Sequence, residues 1–108
     1  MTTFQGGTNV VSYTAAKSAV AGVVHALANE WAGRGVGVNA IAPGYIETEL
    51  TMGRDGNPER VAAQLPRIPF GRWGRPDDIA GAAVFLSSDA SAYVHGVVIP
   101  VDGGWLAR

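Results

Sequence analysis

The sequence predicts an α/β fold in which parallel strands are joined by helical crossovers. Three observations carry this. Apolar residues recur at helical spacing in three segments and run nearly unbroken in two short ones. The order along the chain is helix, strand, helices, strand. Strands separated by helices pair in parallel, because the crossover returns the chain to the same end of the sheet. The length, 108 residues, allows at most one domain.

The opening "TTFQGGTNVV" is polar and glycine-containing, and reads as a loop. Ser12 is the expected N-cap of the first helix, its hydroxyl accepting an otherwise unpaired backbone N–H. From Tyr13 onward, Ala16, Val20, Val24, Leu27 and Trp31 form one helical stripe, and Ala19, Val23 and Ala26 a second. Two stripes predict a helix covered on two sides. Gly33 and Gly35 lie where a helix should stop.

"VGVNAIAP" then reads as a strand closed by Pro43 and Gly44. "NPERVAAQLP" predicts a helix with Asn57 as cap and Pro58 in its first turn. "RPDDIAGAAVFLSS" predicts another, with Asp77 and Asp78 at its positive end. "GVVIPVDGG" is a final strand whose Pro100 assigns it an edge or irregular position. No internal repeat is present.

Composition excludes several function classes. The formal net charge is −1 with no basic run, so nucleic-acid binding lacks electrostatic support. There is no cysteine, which excludes disulfides and thiolate metal sites and fits a reducing compartment. His25 and His95 are too far apart in sequence for metal-ligand spacing and read as helix-surface or loop residues. Apolar runs such as "IAGAAVFL" fall short of the ~20 residues a membrane helix needs, and no leader precedes them. Glycine, at 15 residues, is about twice its usual ~7% share. The glycines stand singly or in pairs between apolar runs, as turns and close backbone approaches do. A soluble, cytoplasmic α/β chain with a modest core is the expectation.

"GRGVGV" at residues 33–38 resembles a dinucleotide fingerprint, but that motif needs a strand before it and a helix after it. Here the order is reversed, and the segment reads as a helix stop and a turn. The chemistry lies elsewhere. Tyr13 and Lys17, at i and i+4, share a helix face. A phenol ordinarily titrates near ~10 and is a poor acid–base catalyst at neutral pH. A neighbouring ammonium favours the phenolate, so such a pair can give a proton to an alkoxide or take one from an alcohol. Tyr-x-x-x-Lys also arises by chance between surface neighbours.

Four motifs stand in order: "YTAAKSAV" opening a helix, "VNAIAPGYIET", "RIPFGRWGRPDDIAGAAVFLSSDAS" and "VDGG". Together they resemble the short-chain dehydrogenase/reductase family over essentially all 108 residues. The resemblance implies that Tyr13 is the catalytic acid/base and that Lys17 assists it and hydrogen-bonds the nicotinamide ribose. It further implies cofactor contacts at Pro43, Gly44, Ile46 and Thr48: close backbone passage at the first two, backbone hydrogen bonds to the carboxamide at Ile46, and a hydroxyl at Thr48. Read without the resemblance, "PGYIET" is a strand-ending turn followed by a helix cap. Asn39 is expected to brace a neighbouring loop. Residues 49–73 correspond in position to the family's substrate loop. There Arg67, Arg72 and Trp73 either meet a carboxylated sugar, or pair with acids and pack.

The pattern most resembles the family branch acting on keto-deoxy sugar acids. The implied cofactor is NAD or NADP, and the substrate a small sugar acid or ketone; no metal, nucleic acid or membrane is expected. A homo-oligomer, dimer or tetramer, is implied through the helix at residues 13–31. The resemblance also implies the carboxyl-terminal half of a Rossmann-like doubly wound parallel sheet. On this expectation residues 1–108 are one partial domain, the amino-terminal dinucleotide-binding half is absent, and the family's serine falls immediately before Met1. Such a chain would be inactive alone. Two alternatives are a 3-oxoacyl carrier-protein reductase-like enzyme and a non-catalytic dimerisation fragment.

Overall fold

The computed structural model describes residues 1–52 and 58–108. Helix α1 spans Val11–Trp31 and ends in a single 3-10 turn, Ala32–Arg34. Strand β1 is Ala40–Pro43. Two short helices follow, α2 at Glu49–Met52 and α3 at Pro58–Gln64, the latter running into a 3-10 turn at Leu65–Arg67. Helix α4 is Pro76–Leu86, strand β2 is Val98–Val101, and a 3-10 turn at Trp105–Ala107 closes the chain. The two strands pair in parallel, in the register Ala40 with Val98 through Pro43 with Val101. Helix α4 packs on both. The α/β class, the parallel pairing and the helical crossover match the sequence expectation, and Pro100 sits on a strand with one paired neighbour.

Local differences have physical causes. Helix α1 begins at Val11, so Ser12 lies inside the first turn and does not cap it. Val10 holds the cap position, and its carbonyl accepts the Thr14 N–H at 2.8 Å. At the other end Gly35, with φ +75°, adopts the left-handed conformation that only glycine enters without strain, and its N–H returns to Ala32 O. Asn57, expected to cap α3, lies outside the described residues. Helix α4 carries Pro76 in its first position, and the Asp78 carboxylate accepts the Arg75 N–H at 2.6 Å. Asn39 braces a loop as expected: its amide donates to Val94 O at 2.8 Å, and its oxygen accepts the Val97 N–H.

The core lies at the carboxyl ends of the strands. Ile68, Trp73 and Trp105 are buried together, with Met1, Tyr45, Val61, Leu65 and Leu106 packed around them. Helix α1 contributes little to it. Neither apolar stripe is covered along its length: within α1 only Val24 and Ala28 are buried. Val20 and Val23 remain 53% and 55% exposed. The expected two-sided burial is therefore not realised within this chain. The radius of gyration, 15.5 Å, exceeds the ~13 Å of a 100-residue domain, as a projecting helix requires.

Where β1 ends, the chain passes close to the end of β2. A Cβ at Gly44 would stand 2.6 Å from the Asp102 Cα. Gly44→Ala is therefore expected to destabilise the fold by about 1–3 kcal/mol through overpacking, read as a lower urea midpoint with an unchanged slope.

Candidate functional site

The cleft is assembled from three segments. Helix α1 presents Tyr13 and Lys17 one turn apart, with the Lys17 Nζ 5.3 Å from the Tyr13 ring centroid. Tyr13 is 54% exposed, so its ring is accessible rather than packed away. Strand β1 and the loop after it supply Pro43, Gly44, Ile46 and Thr48. The first turn of α4 adds Pro76 and Ile79. All six residues singled out in the sequence line this one cavity, which has a volume of about 670 Å³. That is within the ~300–1,000 Å³ range of small-molecule sites.

The loop after β1 is held from below. Ile46 forms a parallel bridge with Gly74, in which the Gly74 N–H donates to Tyr45 O and the Glu47 N–H to Gly74 O, each at 2.8 Å. That pattern uses the polar groups of the residues flanking Ile46. Its own C=O faces the other way and accepts the Thr51 hydroxyl at 2.6 Å. The Ile46 N–H is likewise turned away from Gly74, as a donor to a carboxamide would have to be. Thr48 and Thr51 cap α2 reciprocally: the Thr48 N–H donates to Thr51 Oγ1 at 2.8 Å, and the Thr51 N–H to Thr48 Oγ1 at 3.2 Å. The helix cap in "PGYIET" is thus real, and its hydroxyls line the cleft as well. The T-x-x-T spacing was the available sequence signal for Thr51. Met1, Thr3, Val20 and Ala21 also line the cavity. Nothing in their local sequence marks them.

Of the two readings left open for the substrate loop, packing holds for Trp73 and pairing with an acid for Arg72, whereas Arg67 meets a ring instead. Trp73 is 2% exposed and stacks on Tyr45, with ring centroids 5.3 Å apart. Arg72 forks onto Asp78 at 2.7 and 2.9 Å. Arg67 lies 4.0 Å over the Trp105 ring. His25 is exposed on α1 and His95 sits in a loop; among the described residues no group of ligands could hold a metal. No helix of the described residues is long and apolar enough to cross a membrane.

The sequence model of the family described as enoyl-(acyl carrier protein) reductase matches residues 1–106. A curated relative, the 2-dehydro-3-deoxy-D-gluconate 5-dehydrogenase of Pseudoalteromonas atlantica, is 59% identical over 106 residues, which are 98% of this chain and 42% of the relative. An Agrobacterium tumefaciens protein, provisionally described as a 2-deoxy-D-gluconate 3-dehydrogenase and solved with bound NADP, is 63% identical with a TM-score of 0.93. The match covers 99% of this chain and 44% of that one. A gluconate 5-dehydrogenase from Burkholderia cenocepacia, in complex with NADP and tartrate, is 36% identical with a TM-score of 0.92, over 99% of this chain and 42% of that one. The chain thus spans less than half the length of these relatives.

The Arg72 fork and then the Arg75 N–H hold the Asp78 carboxyl well below the usual carboxylate range. A carboxyl favoured in its ionised form by the fold stabilises it above the unfolded value of about 4, and that contribution is lost as the pH falls. Asp78→Asn is expected to lower the thermal midpoint at neutral pH, with the gap to the parent closing below about pH 4. A gap at about pH 2 as wide as at neutral pH would mean that the ion pair is not its source.

Proposed function

The chain belongs to the short-chain dehydrogenase/reductase family, and from that premise we propose that it carries the acid–base pair of an NAD(P)-dependent oxidoreductase acting on a keto-deoxy sugar acid. The observation that supports this most is the single cavity lined by Tyr13, Lys17, Pro43, Gly44, Ile46 and Thr48. The names of the relatives support the substrate class: a 2-dehydro-3-deoxy-D-gluconate 5-dehydrogenase and a gluconate 5-dehydrogenase are among them.

The residues present fit the nicotinamide–ribose half of the cofactor. Lys17 offers an ammonium to the ribose hydroxyls, and the Ile46 N–H and Thr48 hydroxyl are donors beside the bridge to Gly74. The bound nicotinamide supplies the hydride acceptor or donor. Tyr13 manages the proton. In reduction its hydroxyl donates to the carbonyl oxygen as negative charge builds there, and in oxidation it accepts the proton of the alcohol. The Lys17 ammonium, held near the ring, favours negative charge on the phenol oxygen during that exchange.

In a chain extended to the full length of its relatives, Tyr13→Phe is expected to remove nearly all turnover while leaving nicotinamide binding, read by NADH fluorescence titration, largely intact. Lys17→Ala should damage both. Substantial activity in Tyr13→Phe would end the acid/base assignment.

The same reading includes a homo-oligomer, with the uncovered face of α1 as its contact. Val23 is more than half exposed there, and small residues such as Ala19 and Ala26 permit close approach of another helix. A two-fold contact presents the patch twice, so one charge on it is felt twice. In sedimentation, Val23→Glu and Ala26→Glu should each lower the oligomeric mass. Parental mass in both would remove α1 from the interface.

A further inference from the structure

Trp105 is tied to both walls of the cleft, although it lines neither. Its ring meets Tyr45 edge-on, with centroids 4.9 Å apart, and Tyr45 stands between Gly44 and Ile46 on one wall. Its indole N–H donates to the Gln5 side-chain oxygen at 3.0 Å, across 100 residues of sequence. Gln5 closes a turn in which the Phe4 and Gln5 N–H groups both donate to Met1 O, at 2.9 and 3.1 Å. That turn sets Met1 and Thr3 on the opposite wall. The Thr3 hydroxyl in turn donates to Lys17 O at 3.3 Å. Trp105 cannot drift, since it is 6% exposed, packed with Ile68 and Trp73, and covered by the Arg67 guanidinium. The indole N–H of Trp73, by contrast, has no partner among the described residues. Trp73 serves packing, whereas Trp105 spends its polar edge on a distant segment.

We propose that Gln5, Trp105 and Tyr45 form a strut that fixes the spacing between the two cleft walls, making Gln5 and Trp105 positioning residues for the substrate. This rests on reading the cleft as an oxidoreductase site. Tyr13 and Lys17 ride on α1, and the loop at Ile46 is clamped separately by Gly74. The strut restrains the turn at residues 1–5, which the Thr3 bond to Lys17 O and the packing of Met1 on the core also hold. Releasing it lets the substrate take more poses while the proton-transfer pair stays in place, so the effect falls on substrate KM more than on kcat.

Three variants test the bond. Gln5→Met keeps the length and removes the acceptor, Trp105→Phe keeps a ring and removes the donor, and Gln5→Glu keeps an acceptor. In a chain extended to the full length of its relatives, with 2-dehydro-3-deoxy-D-gluconate as probe, Gln5→Met and Trp105→Phe should each raise substrate KM by about three- to tenfold, the scale of one lost hydrogen bond. In both, kcat and nicotinamide KM should change less than about twofold. The double variant should be no worse than either single one, and Gln5→Glu should stay close to the parent. Additive losses, or unchanged KM in both single variants, overturn the proposal. A second readout does not depend on turnover. Slow hydrogen exchange at the Trp105 indole in the parent, with Gln5→Met moving the amide resonances of both Thr3 and Ile46, supports the strut even where the oxidoreductase reading fails. Fast exchange in the parent, or shifts confined to residues 1–5, overturns it.

Discussion

Parallel strands end on the same side, and this constraint organises the rest of the molecule. Because β1 and β2 run together from Ala40 and Val98 to Pro43 and Val101, the loops that follow them leave side by side. Gly44 meets Asp102 at a distance that a methyl group would forbid. Asp102 then turns its carboxylate onto the Gly104 and Leu106 N–H groups, at 2.9 and 3.0 Å, and so starts the turn that carries Trp105. Tyr45 drops between Trp73 and Trp105. The core and the cleft are therefore built on the same pair of strand ends, which is where open α/β sheets bind ligands.

Much of this was legible in the sequence for a local reason. The helix stop at Gly35, the strand ending at Pro43 and Gly44, the acidic first turn of α4 and the pairing of Tyr13 with Lys17 all depend on neighbours within a few residues. The α1 start shows the limit of that reasoning. Ser12 has the chemistry of a cap, but the backbone is already helical one residue before it. The aromatic and cationic residues were ambiguous for a different reason. Arg67, Arg72 and Trp73 are the right types for a sugar acid, and only tertiary packing spends them on Trp105, Asp78 and Tyr45. The Gln5–Trp105 bond joins the two ends of the chain and leaves no periodic trace.

Helix α1 carries the proposed reactive pair and is also weakly supported. Its buried contact is confined to Val24 and Ala28, the latter against Gly96, while its first half stands beside the cleft with Val11 and Val20 exposed. A helix this apolar gains its stability from burial rather than from intrinsic propensity. The orientation of Tyr13 toward the loop after β1 therefore depends on whatever covers the outer face of α1. Covering that face would stabilise the helix and fix the placement of Tyr13 and Lys17 together.

Charge places a further condition on the substrate. Lys17 is the lysine or arginine lining the cleft among the described residues, and the remaining lining side chains there are apolar or carry hydroxyls. A carboxylate moved into such surroundings without a cation or several N–H donors carries a large desolvation cost. Arg72 cannot answer it without releasing Asp78, which would leave the Arg75 N–H bond alone to hold that carboxylate at the start of α4. Arg67 is likewise held over a buried ring. On the proposed function, a sugar acid in this cleft would direct its carbonyl toward Tyr13 and keep its carboxylate toward solvent. On that proposal, discrimination from a neutral sugar would not rest on Arg67 and Arg72, whose charge in the sequence suited a carboxylated sugar.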